Sequence, residues 1–139
     1  MSEARLFTPE EVDRLIPRLT DLMETAIERY GQARALQERL REDRARVTAS
    51  GGERGEAMDW KARAERLDGL GIEVRQILQD VQAMGGVVKD LETGLVDFPG
   101  HGPAGPGGPV INLCWKLGED AVRFWHGMDE GFANRKPLP

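Results

Sequence analysis

Apolar side chains recur at steps of three and four residues between Val12 and Leu40. This spacing places them on one face of an α-helix, in which a turn takes about 3.6 residues. The members of this stripe are Val12, Leu15, Leu19, Leu22, Ala26, Tyr30, Ala33, Leu36 and Leu40. The pattern predicts a first long amphipathic helix over residues 8–47.

The start of this helix has its own local signal. Thr8 occupies the N-cap, Pro9 the first helical position and Glu11 the third position after the cap. The Thr8 hydroxyl can accept a hydrogen bond from the Glu11 amide while the Glu11 carboxylate accepts one from the Thr8 amide. Proline is favourable at the first position because its missing N–H would have no helical partner there. The sequence therefore predicts a capping box at Thr8.

A second helical stripe follows the breaking sequence Ser50-Gly51-Gly52. Its members are Met58, Trp60, Ala64, Leu67, Leu70, Val74, Ile77, Leu78, Val81 and Met84. Gly85-Gly86 supplies the residues that commonly end a helix. We predict a second helix over 53–84, antiparallel to the first, so that residues 1–84 form a helical hairpin.

The pattern changes to short apolar runs after residue 85, which are typical of strands. The runs are Val87-Val88, Leu95–Phe98, Val110–Leu117 and Val122–His126. A Gly/Pro-rich loop over 100–109 separates the second run from the third. We expect residues 85–139 to form a small antiparallel β-meander with an irregular C-terminal tail, packed at the open end of the hairpin. The fold class is therefore α+β.

Two long apolar stripes are more than one pair of helices can cover alone, so we expect the hairpin to bind further helices. A second copy that completes a four-helix bundle is the simplest solution. We expect a homodimer, and a helical protein partner is the alternative. The interface residues that we predict are Leu15, Leu19, Leu22, Ile27 and Leu36.

Composition narrows the class of protein. Acidic residues outnumber basic ones, with a net charge of −5, and no segment has the basic footprint of a nucleic-acid module. No apolar run approaches the roughly 20 residues needed to cross a bilayer. Cys114 is the single cysteine, so an internal disulfide is excluded and we expect a cytoplasmic location.

Strand alternation assigns side chains to the two faces of the sheet. If the last hairpin closes over two or four residues, His126 shares the apolar face with Leu113 and Trp115, and Cys114 lies on the other face. His126 is then either a metal ligand, supported by Asp97, Asp129 and Glu130, or a histidine bonded to backbone at the rim of the core.

Two further residues have competing interpretations. Asp97 stands between Val96 and Phe98 in a strand, where it could be an acid of a functional site or one half of an ion pair with Lys116 or Arg123. Cys114 is interpreted as a small buried side chain rather than a nucleophile, since the predicted register places no histidine beside it.

The chain resembles the bacterial domain of unknown function (DUF) 2203 family over nearly its whole length. The segments that carry the resemblance are Phe7-Thr8-Pro9-Glu10-Glu11, Lys89-Asp90-Leu91, Gly94–Pro99, Leu113-Cys114-Trp115, Leu117-Gly118-Glu119, Trp125-His126, Gly131-Phe132, Arg135 and Pro137. The resemblance implies no activity, substrate or cofactor. It does suggest which polar and aromatic positions to test first: Asp90, Asp97, Glu119, Trp125, His126 and Arg135.

From these observations we expect a non-catalytic interaction or assembly module that dimerises through its helical hairpin. The alternative is a small metal- or anion-binding enzyme or sensor with its site around Asp97, His126 and Glu130. We assign no catalytic residue. We predict no cofactor for the first interpretation, whereas the second allows a divalent metal.

Overall fold

The predicted helical hairpin is confirmed. The computed structural model describes residues 5–50, 54–103, 105 and 107–139, and the side chains of these except 47–50 and 54–58. Helix α1 spans Pro9–Ser50 and helix α2 spans Arg54–Ala83. They run antiparallel, and ion pairs connect Arg29 to Glu73, with Nε and Oε2 3.1 Å apart, and Asp43 to Arg63. The breaking residues Gly51 and Gly52 lie outside the described residues.

Both predicted helix-end signals that fall within the described residues are confirmed. The Thr8 amide donates to Glu11 Oε1 at 3.0 Å, and the Glu11 amide donates to Thr8 Oγ1 at 3.2 Å. At the end of α2 the Gly86 amide donates to the Val81 carbonyl at 3.1 Å, and Gly85 has the left-handed φ of 104° that this type of helix ending requires.

Five strands form one antiparallel sheet in chain order, so the predicted meander is confirmed. They are β1 (Val87–Asp90), β2 (Leu95–His101), β3 (Val110–Lys116), β4 (Phe124–Gly127) and β5 (Lys136–Pro137). Strand β2 continues through Pro99 and Gly100 into the region predicted as loop. The C-terminal tail is more regular than predicted, because it contains the 3-10 turn Phe132–Asn134 as well as β5.

Phe7 explains why β2 extends beyond its predicted end. The Phe7 amide donates to the Pro99 carbonyl at 2.8 Å, and the His101 amide donates to the Phe7 carbonyl at 3.4 Å. A Cβ at Gly100 would lie 2.5 Å from the Phe7 carbonyl oxygen, so the glycine permits this close approach. The segment before α1 thereby pairs with β2.

One face of the sheet packs against the first half of α1 and the end of α2. This is the open end of the hairpin, as predicted. The core consists of Phe7, Val12, Ile16, Leu19, Met23, Val81, Val96, Phe98, Ile111, Leu113, Trp115 and Val122. The opposite face, which we call the outer face, points away from the helices.

The sheet covers part of the surface at which we predicted a dimer interface. Leu19 is fully buried within the chain, and Leu15 and Leu22 pack against the same core. The sheet therefore covers three of the five residues that we predicted at the interface with a second copy. Ile27 and Leu36 remain half-buried.

None of the helices in the described part of the chain combines the length and the apolar character that a membrane span needs.

Candidate functional site

Three buried side chains from three adjacent strands meet on the outer face. Cys114 of β3 is the register partner of Asp97 in β2, and Asn112 of β3 is the partner of His126 in β4. Directly opposed residues of antiparallel strands share a face, so Asp97, Cys114 and His126 lie together, with Asn112 beside them. The carboxylate, thiol and imidazole ligand atoms of Asp97, Cys114 and His126 all lie within 4.8 Å of one another. We call these three residues the acceptor cluster.

This arrangement contradicts the predicted faces of β3 and β4. His126 lies on the face opposite Leu113 and Trp115, together with Cys114. The prediction assumed a connection of two or four residues, whereas residues 117–123 separate β3 from β4. An odd connection shifts the register by one residue, and such a shift moves every side chain of the strand to the other face.

Specific hydrogen bonds hold this wider connection in place. The Trp115 indole N–H donates to the Glu119 carbonyl at 2.9 Å, and the Lys116 amide donates to Glu119 Oε1 at 2.7 Å. The Val122 amide donates to Asp13 Oδ1 of α1 at 2.7 Å. The connection is therefore anchored to the core helix and to its own strand, which sets the register of β4.

The hydrogen bonds of His126 define where its proton lies. His126 Nδ1 is 3.0 Å from the Gly127 carbonyl oxygen, which can only accept, so a hydrogen bond at this position requires the tautomer with its hydrogen on Nδ1. His126 Nε2 lies 3.0 Å from Asp97 Oδ2. In a neutral imidazole with this tautomer, Nε2 has a lone pair, and it faces a carboxylate oxygen. In that tautomer the two acceptors can be bridged either by a proton or by a metal ion.

The rest of the cluster is also rich in acceptors. Asp97 Oδ1 is buried and has no hydrogen-bond partner within the described part of the chain. Burial, helped by the charge of the neighbouring Asp97 carboxylate and its hydrogen bond with the thiol, raises the pKa of Cys114 to about 12, and Arg135 opposes the rise. A thiol with such a high pKa stays protonated at neutral pH, which argues against Cys114 as a nucleophile in the metal-free protein.

A cavity of about 210 Å³ opens onto the cluster from the outer face. Its lining residues are Lys89, Leu95, Asp97, Asn112, His126, Met128, Glu130, Gly131 and Phe132. Asp97 and His126 thus reach the cavity directly, whereas Cys114 is fully buried and is not part of its wall. The cavity supplies a route by which an ion or a small molecule could reach the cluster.

The C-terminal tail lies over this face and is held by the half-buried guanidinium of Arg135. Arg135 Nη2 donates to Glu119 Oε1 at 2.7 Å and to the Cys114 carbonyl at 3.3 Å. The Arg135 guanidinium carbon lies 4.1 Å from the ring centroid of Phe124 and 4.9 Å from that of Phe132. Two of the predicted site residues, Glu119 and Arg135, therefore form a second contact pair beside the cluster and anchor the tail.

The other predicted site residues lie elsewhere or have other partners. Asp90 is exposed and accepts from the Glu92 amide at 3.0 Å. Trp125 packs on the core side of the sheet. Asp129 is exposed and lies outside the cluster. Glu130 lines the cavity, but its Oε1 accepts from the Gly127 amide at 2.8 Å and pairs with Lys136 at 2.5 Å.

The register also decides between the interpretations of Asp97. Its partner is His126 rather than Lys116 or Arg123, and Arg123 pairs instead with Asp120 at 2.8 Å. Cys114 was not among the metal candidates, because the predicted register placed it away from His126. The pairing of Asp97 with Cys114 in adjacent strands is the signal that would have identified it.

The comparison with protein families agrees with the resemblance seen in the sequence. A family model described as "Uncharacterized conserved protein (DUF2203)" matches residues 5–138. The chain belongs to the DUF2203 family. No curated protein and no solved structure matches this DUF2203 protein. The acceptor cluster therefore has to be interpreted from its own geometry.

Proposed function

We propose that this DUF2203 protein binds one divalent transition-metal ion, of which zinc is the model, at Asp97, Cys114 and His126. The observation that carries the proposal is the approach of His126 Nε2 to Asp97 Oδ2 at 3.0 Å while Nδ1 donates to a carbonyl. This backbone contact is the kind of outer bond that directs a histidine's other nitrogen to a metal.

A metal satisfies more of the cluster than a proton does. A proton between His126 and Asp97 leaves Asp97 Oδ1 without a partner, and the Cys114 thiol then contributes only a weak hydrogen bond to Asp97. An ion bound between the three side chains would use the nitrogen, the sulfur and a carboxylate oxygen together. Tetrahedral zinc sites with bonds of about 2.0–2.3 Å need donor atoms roughly 3.3–3.8 Å apart. The observed spread of up to 4.8 Å is close to that size.

The donor set indicates the class of metal. Thiolate and imidazole suit zinc and its transition-metal neighbours, whereas magnesium and calcium prefer oxygen ligands. Three protein ligands are typical of sites that keep one position for water or a small ligand. Because Asp97 and His126 both line the cavity, a small molecule could reach the ion from there. A reducing compartment such as the cytoplasm, which we also propose, would keep Cys114 available as a ligand.

The test is a zinc titration of the chelator-treated protein against a competing chromophoric chelator. We expect one equivalent to bind, with affinity weakened by about tenfold or more in Asp97→Asn, Cys114→Ser and His126→Ala. His101→Ala and Asp129→Asn are matched controls, since neither residue belongs to the cluster, and both should bind like wild type. At about 100 times the dissociation constant, zinc should stabilise the wild type by about 2.7 kcal/mol.

Two outcomes would contradict the proposal. One is the absence of stoichiometric binding by the folded wild-type protein. The other is equal binding by wild type and the three cluster variants, which would place the metal elsewhere. Either result would leave Asp97 and His126 as a proton-bridged pair that connects β2 and β4 across β3. Circular dichroism of each variant shows whether the fold is retained.

A further inference from the structure

The hairpin carries an exposed apolar side chain next to a groove. Ile72 of α2 is 60% exposed, the largest value among the large hydrophobic side chains of the described residues. A groove of about 470 Å³ between the two helices lies beside it. The residues that line this groove are Ala33, Gln37, Leu67, Asp68, Gly71, Ile72 and Arg75. We call this surface the α2 patch.

The groove has room for a branched aliphatic side chain. A Cβ added at Gly71 would make an ordinary contact with Arg75 Nη1, at 3.5 Å, so the missing side chain leaves a recess beside Ile72 that the flexible Arg75 side chain borders. Ala33 of α1 faces the same groove with a single methyl group. The α2 patch therefore offers a protruding side chain and a recess of matching chemistry next to each other.

Two opposite charges flank Ile72 on the same helix face. Asp68 precedes Ile72 by four residues and Arg75 follows it by three, a separation of about two helical turns. Both are exposed, and neither makes an ion pair with another described residue. Elsewhere on the hairpin, Arg29 pairs with Glu73 and Asp43 with Arg63. The α2 patch thus has an acid at one end and a base at the other, both available to a partner.

We propose that two copies of the chain pair through this patch, with their α2 helices antiparallel about a twofold axis between Gly71 and Ile72. Asp68 and Arg75 lie equally far from that axis, so each Asp68 meets the Arg75 of the other copy. Each Ile72 enters the recess beside the opposite Gly71. The patch contains both the protruding Ile72 and the recess that receives it. It also has opposite charges at equal distances on either side of the axis. Such a surface is complementary to itself, as a twofold interface requires.

The proposal is independent of the metal site, which lies on the sheet. It also differs from the interface that the sequence predicted, because α2 rather than α1 supplies the contacts. A helix from another protein could bind in the recess. Binding such a partner would not require Asp68 and Arg75 to lie at equal distances from one axis. A second copy is therefore the occupant that these residues favour.

The first test measures the oligomeric state by sedimentation equilibrium over a range of concentrations. We expect the wild type to dimerise and Ile72→Lys to weaken dimerisation by about tenfold or more. Val87→Lys is the matched control, because Val87 is also apolar and 45% exposed but lies on β1. It should dimerise like wild type. A wild type that stays monomeric throughout, or a dimer that tolerates Ile72→Lys, overturns the proposal.

The second test exchanges the charges. Asp68→Arg and Arg75→Asp should each impair self-association, because each variant brings like charges together twice across the axis. An equimolar mixture of the two variants should form a heterodimer, and the double variant should recover homodimerisation. If the mixture associates no better than either variant alone, the antiparallel α2 pairing is wrong. Circular dichroism verifies that these surface variants retain the fold.

Discussion

The buried contact between Asp97 and His126 allows a quantitative prediction for the metal-free protein. Both side chains are 3% exposed, and besides Nε2 of His126 the Asp97 carboxylate has only the neutral Cys114 thiol as a hydrogen-bond partner among the described residues. His126→Ala therefore leaves a buried carboxylate whose remaining hydrogen-bond partner is the weakly donating Cys114 thiol. This substitution therefore affects a carboxylate that folding has already largely removed from water.

The expected loss is about 3 kcal/mol in the free energy of unfolding. Removing the partner of a buried carboxylate costs about 3–5 kcal/mol when the carboxylate stays charged and uncompensated. The lower end applies here, since His126 lines the 210 Å³ cavity and its removal lets water approach Asp97. A loss of this size is a large part of the roughly 5–15 kcal/mol that stabilises a typical domain.

The assay is urea denaturation in the presence of a chelator, followed by far-ultraviolet circular dichroism. Unchanged slopes with denaturant concentration would show that the variants unfold the same amount of surface. His101→Ala is the matched control, since the other histidine is half-buried and outside the cluster. It should lose no more than about 0.5 kcal/mol.

A double variant separates the charge effect from the loss of packing. Adding Asp97→Asn to His126→Ala removes the uncompensated charge, so the double variant should be more stable than His126→Ala alone by about 1 kcal/mol or more. The reasoning is refuted if His126→Ala is no worse than His101→Ala, or if the second substitution restores nothing.

Two further predictions concern the ends of the helices. Gly85→Ala should cost about 3 kcal/mol or more, because φ is 104° and a Cβ would lie 2.6 Å from Phe7 Cε2. Gly118→Ala, with φ 103° and no atom near its Cβ, should cost only about 1 kcal/mol in the same urea assay. At the start of α1, the Arg5 guanidinium holds the pKa of Glu11 below its usual value. The stabilisation is therefore present above the unfolded-state pKa of Glu11 and is lost as pH falls through the folded-state value. Glu11→Gln should be less stable than wild type at neutral pH but equally stable in strong acid, and a difference that persists there would contradict this.

Local signals in the sequence predicted the helices well. The capping box at Thr8 and the helix ending at Gly85 depend on residues within one turn of each other, so their geometry follows from neighbouring positions alone. The apolar period of the two stripes likewise depends only on helix geometry. These elements could be assigned without knowledge of the tertiary structure.

Contacts between distant segments could not be predicted in the same way. The register of β4 depends on the bond from Val122 to Asp13, which joins positions 109 residues apart. The sequence does not reveal that contact, so it favours a short hairpin connection of two or four residues. A connection of that length places His126 on the wrong face of the sheet. The burial of Leu19 has the same origin, because it depends on where the sheet packs on α1. Both corrections come from long-range packing that no local pattern encodes.

The metal proposal depends most directly on Cys114, because sulfur ligation would show that the three strands bring their side chains to one ion. Cobalt(II) is a spectroscopic substitute for zinc, and a thiolate ligand gives it an intense near-ultraviolet charge-transfer absorption. We predict this absorption in the wild type at one equivalent of cobalt, and its loss in Cys114→Ser. Stoichiometric cobalt binding without a sulfur signal, or no binding by the folded protein, would contradict the proposed site.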